Sequence, residues 1–551
     1  MEIKILFYLF LSCHLFLINC HKCGTDLLKI KPGIVVIDNI ENKRKLNDFA
    51  RPIKIKVDMT NLKSAKIFDD SKINKLEEIF SEITSSFNSL ISIYREVTNK
   101  DFTEEFKQYC LINNFDQNLK APFIEYDLII FPIASSLSQD VLASATPCLF
   151  SYLAYRPMAG VVLINKDLSL SKYDFKPYMK NLLFHEITHV LGFHPMIFEA
   201  KKLYYKEKID NEEQIFINSP KVLEKAKIHF GCDSIKGIRL ENQGGQGTIG
   251  SHWESRYMLG DYMISSDYQE VVISDISLAS LEDIGFYKIN FYTGGLFRFG
   301  KNQGCAFLKK KCLYNEGEKT SFPNEFCLDS GIAFCTSSHL AKGDCYLTKF
   351  RNDLEDKYSY FQDMKIGGFY AADYCPVSYS LEIDNHYFYP KNCNYGKLEY
   401  SVEKLGSNSI CFESSIFNNE KESVCYKMSC DKNNKKINVY IQDNVIVCPG
   451  FDTLLSNPNN LNGEIHCPDY NIVCTSDIWC SDMFDCIEKK STANLDTYDY
   501  ISNRLALEER DRINLLVDDT KNINKNKDEK SNKSFKIKIF FYYQLLFLLF
   551  I

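Results

Sequence analysis

Apolar and polar positions along the chain follow two different periods, and the changes of period mark its elements. Residues 52–58 alternate apolar and polar, the pattern of a half-buried strand. Across residues 71–97 the apolar positions Ile73, Leu76, Ile79, Phe80, Ile83, Phe87, Leu90 and Ile91 recur at steps of three and four, which predicts one long amphipathic helix. Residues 126–135 and 160–165 are short, nearly unbroken apolar runs and read as buried strands. A second long helix is predicted from about Lys176 to Leu191. Met179, Leu182, Leu183, Ile187, Val190 and Leu191 surround it, so it belongs inside a core. A shorter helix covers residues 276–284 and stops at Gly285. Residues 194–250 form a mixed segment, read as an insertion, that ends in the glycine-rich loop 242–250. Beyond Cys305 the segments are short and crowded with cysteines. The expected fold is α+β: a sheet with two long helices packed on it, followed by a disulfide-rich, mostly β or irregular C-terminal domain. No internal repeat is visible.

Composition adds a compartment. A 551-residue chain suggests about three or four domains by length alone. With 45% hydrophobic and 14% aromatic residues it can bury large cores. A net charge of −7 argues against nucleic acid as a main partner. Twenty-one cysteines point to an oxidising compartment, hence to a secreted or cell-surface protein. Both ends fit. Residues 3–18 are an apolar run with Lys4 near its start, the pattern of a secretory signal peptide cleaved after Cys20. Residues 489–536 are charged and polar, like a stalk, and contain one glycosylation sequon, Asn532-Lys533-Ser534. The apolar tail 537–551 is short for a membrane span and follows small and polar residues. It reads as a lipid-anchor (GPI) attachment signal, with a tail anchor or a buried strand as alternatives.

The chemistry sits on the second long helix. His185 and His189 are one helical turn apart on the same face, so both imidazoles can reach a single zinc ion. Glu186, beside the first, can act as general base on a zinc-activated water. Gly192 stands where a left-handed residue would turn the chain away. A zinc hydrolase needs a third protein ligand and an open fourth position. In the compact HExxHxxGxxH arrangement that slot is Pro195, and His194 misses it by one residue. Three choices remain: His194 with shifted geometry, a downstream carboxylate such as Glu199, or His252 beyond the glycine-rich loop, with Met263 eleven residues later.

At this point the chain resembles the leishmanolysin family of surface zinc metalloproteases, in which a long insertion separates the helix turn from the third histidine. Arg156-Pro157-Met158-Ala159-Gly160 resembles the family's RPxAG strand, and His185 to Phe193 its HExxHxLGF helix. Gly244 to Glu254 is similar to its GGxGTxGSHWE segment, Gly260-Asp261-Tyr262-Met263 to its methionine turn, and Leu278 to Tyr287 to its LAxLEDxGWY helix. The resemblance implies a metzincin-type catalytic core. It implies one catalytic Zn²⁺ held by His185, His189 and His252, Glu186 as base, Met263 in the structural Met-turn, and endopeptidase action on proteins or peptides. His194 then becomes a surface residue or one behind the ligands, while His229, His339, His386 and His466 read as ordinary, partly exposed histidines. His21-Lys22-Cys23 is similar to the family's pro-segment, which makes Cys23 a candidate zinc switch. With Cys13 and Cys20 removed, nineteen cysteines remain, enough for nine disulfides and one free thiol. By position Cys110 pairs with Cys148 and Cys232 with Cys305; the fourteen from Cys312 to Cys486 would form seven more bridges.

The expected organisation is a signal peptide (1–20), a pro-segment (21–51), an N-terminal catalytic subdomain with the zinc helix (52–192), and a central subdomain with the third ligand and Met-turn (193–304). A Cys-rich domain (305–488), the stalk (489–536) and the hydrophobic tail (537–551) follow. The rival reading from another class is a surface adhesion or binding protein built on a relict protease core. Its motive is the Cys-rich half and the anchor-like tail; against it, neither a ligand nor the base is missing.

Overall fold

The computed structural model describes residues 32–35 and 50–474, with Phe484 and Ile487, apart from short gaps at 94–97, 139–140, 152–154, 168–174, 246, 267–270, 292–296, 331–332, 380, 385–386, 395, 397, 407 and 417–419. The signal peptide, Cys23, His386, the stalk with its sequon and the apolar tail lie outside the described residues.

A five-stranded mixed sheet lies behind the zinc helix. Its order is Gly33–Val35, Ala143–Ser151, Pro157–Asn165, Leu128–Ser135, Ile55–Val57. The pair Ala143–Ser151 and Pro157–Asn165 is antiparallel, and the other three pairings are parallel. Strand Leu128–Ser135 shows why its sequence is continuously apolar. Leu128 and Ile130 face the core beneath the two long helices, while Ile129 and Phe131 face a second core built from Phe102, Phe106, Phe115 and Phe123. Successive side chains of a strand point to opposite faces, so a sheet covered on both sides demands apolar residues at every position. The two long helices expected on the sheet account for one of its faces. The second layer is made of a short helix, Thr103–Tyr109, and 3-10 turns, tied to the sheet by the Cys110–Cys148 disulfide.

The first long helix is Asp70–Leu90, started by Asp69, whose carboxylate accepts from the amide of Lys72 at 2.8 Å. It ends earlier than its apolar period suggested. Ile91 is already extended, and Ile91–Ile93 pairs with Arg51–Pro52 and Tyr287–Ile289 in a separate three-stranded sheet. Two β-branched isoleucines around a serine fit a strand as well as a helix, and the available partners decide. The predicted strand at 52–58 likewise divides between this sheet and Ile55–Val57. The zinc helix spans Phe175–Leu191. It meets the sheet where Gly160 faces Val190; a Cβ added at Gly160 would lie 2.2 Å from Val190 Cγ1, so the helix rests on bare backbone there.

The mixed segment after the helix holds regular elements. Helix Pro195–Lys201 is followed by a hairpin, Tyr204–Ile209 with Glu212–Ile217, and then helix Pro220–Phe230, whose Val222, Ala226 and Phe230 join the main core. Asp210 and Asn211 close the hairpin, both at positive φ, the two-residue turn that suits the strand twist. Helix Asp275–Asp283 stands one residue earlier at each end than the predicted 276–284, with Ile284 as its C-cap. Phe307, Phe322, Phe326 and Tyr379 still share the main core, whereas Val402 to Cys474 enclose another under a six-stranded antiparallel sheet. Eight disulfides join the sixteen described cysteines. Besides the two expected by position they are Cys312–Cys375, Cys327–Cys345, Cys335–Cys411, Cys393–Cys425, Cys430–Cys474 and Cys448–Cys467.

Candidate metal centre

The structure brings His185 and His189 from the zinc helix together with His252 from the glycine-rich loop. Their potential ligand atoms lie within 4.8 Å of one another, and all three side chains are buried. Each imidazole is aimed by a backbone carbonyl. His185 Nδ1 donates to Tyr262 O at 2.5 Å, His189 Nδ1 to Phe193 O at 2.8 Å, and His252 Nδ1 to Thr248 O at 3.1 Å, with Ser251 Oγ also 2.9 Å from that nitrogen. With the proton on Nδ1, every Nε2 presents a lone pair. The Nε2 atoms of His185 and His189 are 3.0 Å apart, and among the described residues His252 Nε2 is buried without a hydrogen-bond partner. Two lone pairs facing each other at that distance repel unless a cation lies between them. Two nitrogens about 2.0–2.1 Å from one tetrahedral zinc would stand ~3.3 Å apart, close to the observed spacing. Three neutral imidazoles are a donor set that suits zinc. Burial keeps them neutral: desolvation pulls His185 down to about 4 and His252 to about 3, and pushes His189 down as well.

Local sequence builds each support. After the helix, the amides of Gly192 and Phe193 both reach back to Thr188 O, at 3.1 Å each. Gly192 takes φ +138, positive as expected but beyond the left-handed helical region, and a Cβ there would come within 2.6 Å of Ile284 Cδ1. The turn returns the Phe193 carbonyl to His189. Glu186 is fully buried on the same helix, next to His185. Met263 is buried and follows directly on Tyr262; its carbonyl accepts from Trp253 N at 2.9 Å. Glu254, two residues past His252, anchors the loop through Arg239 at 2.7 Å, while Arg239 also pairs with Asp373 at 2.5 Å. Burial pushes the Glu254 carboxyl up to about 7 in spite of Arg239.

The other candidates are elsewhere. His194 stands outside the cluster and is buried, not at the surface. It is the N-cap of helix Pro195–Lys201, its Nδ1 accepting from Met196 N at 3.3 Å; Pro195, filling the expected ligand slot, is instead the first residue of that helix. Glu199 on the same helix is exposed and outside the cluster. His229, expected to be partly exposed, is buried and donates to Phe299 O at 2.9 Å. His339 and His466 are partly exposed. The groups that pure sequence reasoning missed are the carbonyls of Tyr262, Phe193 and Thr248. A carbonyl belongs to every residue type, so no residue signal could have found them.

The family profile Peptidase M8, described as Leishmanolysin, matches residues 98–480, which include all three histidines. The chain is 29% identical to a leishmanolysin homolog of Crithidia fasciculata over 373 residues, 64% of this chain and 56% of that one. It is 27% identical to leishmanolysin of Leishmania major over 374 residues, 65% of this chain and 61% of that one. It is 29% identical to a leishmanolysin-like peptidase of Caenorhabditis elegans over 328 residues, 47% of this chain and 49% of that one. The chain thus spans about half to three-fifths of the length of these relatives. With the profile matched over more than half of the chain, the protein belongs to the leishmanolysin family, Peptidase M8.

Proposed function

We propose that this protein is a zinc endopeptidase with a metzincin-type core, in which His185, His189 and His252 hold one Zn²⁺ and Glu186 is the general base. The observation that carries this reading is the convergence of three Nε2 atoms whose Nδ1 protons are all committed to backbone carbonyls. Zinc bound there supplies a Lewis acid for the scissile carbonyl and lowers the pKa of water. Glu186 takes a proton from the attacking water and hands it to the leaving amine nitrogen. Its buried position keeps competing solvent away. Met263 lies in the turn behind the site and acts through backbone placement. The substrates are proteins or peptides.

The enzyme works outside the cell or at its surface. Eight disulfides among the described residues favour an oxidising compartment. No helix among the described residues is long and apolar enough to cross a membrane. The lipid-anchor reading of the tail and the Cys23 switch rest on sequence alone.

Glu186→Gln tests the mechanism. The variant should bind zinc as the wild type does and cleave casein at least about 100-fold more slowly, as expected on losing a general base. The wild type should lose activity with a chelator and regain it with zinc. Wild-type cleavage by Glu186→Gln would overturn the role of Glu186; a purified wild type without zinc or chelator-sensitive cleavage would overturn the function.

A further inference from the structure

The three carbonyls that aim the imidazoles lie on three separate segments, so something must hold those segments in register. Trp253 touches all of them. It directly follows His252, the ligand aimed by Thr248. Its amide donates to Met263 O at 2.9 Å, one residue past the Tyr262 carbonyl that holds His185. Its ring meets Phe193, whose carbonyl holds His189, edge to face with centroids 5.1 Å apart. Its indole Nε1–H donates to Ser277 Oγ at 2.7 Å. Ser277 sits on helix Asp275–Asp283, and its hydroxyl donates in turn to the Asp261 carboxylate, at 2.7 and 2.8 Å from the two oxygens. Asp261 also accepts from Met263 N at 2.7 Å and Ser274 N at 3.2 Å. Trp253, Ser277 and Asp261 are fully buried.

We infer that the chain Trp253–Ser277–Asp261 is a positioning device for the three metal-binding histidines; the inference rests on the proposed zinc site. The polarity of the chain has one solution. The indole can only donate, so the Ser277 oxygen must accept from it and send its own proton to Asp261. Among the described residues the groups hydrogen-bonded to Asp261 are donors: Met263 N–H, the N–H and side-chain hydroxyl of Ser274, and Ser277 O–H. Both side-chain oxygens must therefore accept, which a carboxylate does and an amide cannot. Among the described residues no basic side chain pairs with Asp261. A buried carboxylate held only by hydrogen bonds is costly, and it earns its place by fixing the 261–263 turn, and with it the carbonyl on His185, to the segment that carries His252. These three act through other groups and are positioning residues.

The test uses the mature protein, stripped of metal, with Asp261→Asn, Ser277→Ala and Trp253→Phe made separately. Zinc affinity is measured by competition with a chromophoric chelator, and thermal unfolding of the metal-free form is recorded beside it. Each variant should bind zinc about 10- to 100-fold more weakly. Ser277→Ala combined with Trp253→Phe should lose little more than Ser277→Ala alone, because that substitution already breaks the bond to the indole. Zinc affinity within about twofold of wild type in the variants, with only the metal-free melting temperature lowered, overturns the inference. In the wild type, zinc should slow hydrogen exchange at the amides of Trp253, Met263 and Ser274; unchanged exchange at all three overturns it equally. A wild type that takes up no zinc overturns the proposed function and this inference together. Tight wild-type binding with unaltered variants overturns the inference alone.

Discussion

Replacing Gly160 by alanine adds one methyl group at the point where the zinc helix rests on the sheet. That methyl would lie 2.2 Å from Val190 Cγ1, 2.7 Å from Cγ2 and 3.0 Å from Cβ. Ordinary contact starts near 3.4 Å, so the closest pair must separate by about 1.2 Å. Val190 cannot turn aside freely. It is fully buried, and a valine in a helix holds essentially one rotamer. The helix must therefore lift from the sheet, at a cost of about 1–3 kcal/mol for overpacking. His185 and His189 ride on that helix, but His252 does not. A lift of about 1 Å exceeds the ~0.5 Å tolerance of a well-ordered site, so zinc affinity falls with stability. Val190→Ala alone should cost about 1.5–3 kcal/mol in lost burial and cavity. Added to Gly160→Ala, however, it removes the clashing methyls, and the double variant should be more stable than the sum of the two losses predicts, by about 0.5–3 kcal/mol. Denaturant unfolding of the metal-free proteins and zinc titration give both quantities. Unchanged stability and zinc affinity in Gly160→Ala, or strict additivity in the double variant, would refute this account of how the helix is seated.

The remaining predictions concern residues outside the zinc helix. His466 pairs with Asp452 and lies 3.6 Å from Glu413, which also holds Lys421 at 2.6 Å. The hydrogen bonds to Asp452 and Glu413 lift His466 to about 9; burial works against Glu413, but His466 and Lys421 hold it down to about 2. The His466 contribution is complete below the ordinary histidine value and is lost as pH rises through about 9. That of Glu413 is complete above the ordinary carboxylate value and is lost as pH falls through about 2. His466→Asn should therefore lower the melting temperature most between about pH 5 and 6.5 and progressively less toward pH 9; a difference independent of pH over that range would contradict the pairing. Cys110→Ala with Cys148→Ala opens a bridge across a separation of 38 residues and should cost about 3–4 kcal/mol in the urea midpoint analysis. A loss under about 1 kcal/mol would show that the outer aromatic layer holds to the sheet without it.

Several elements were legible because their signals are local. The spacing of Ile73, Leu76, Ile79, Phe80, Ile83, Phe87 and Leu90 reproduces the buried face of helix Asp70–Leu90. Strand Ala143–Ser151 was not legible. Its first residues, Ala143 to Thr146, are small, the strand does not alternate, and Pro147 stands in its midst, a residue that normally argues against a strand inside a sheet. The structure accommodates it with a register shift between Pro147 and Leu149. The coverage of both sheet faces was hidden as well, since an unbroken apolar run says that a strand is buried but not what buries it.

At the site the same division holds. The sequence by itself determined that His185 and His189 share a face with Glu186 between them, because the α-helix sets that geometry within one turn. Through the family resemblance it also pointed to His252. Only the tertiary structure decided that His252 meets the other two while His194, so much nearer in the chain, is turned into a helix cap. Only there do the carbonyls of Tyr262, Phe193 and Thr248 become visible as the groups that set every imidazole's tautomer. The reason is physical. Periodicity records how one segment presents its side chains to a core, whereas a histidine cluster whose ends are 67 positions apart in the chain depends on distances between segments, and those follow from packing and from backbone groups that every residue shares.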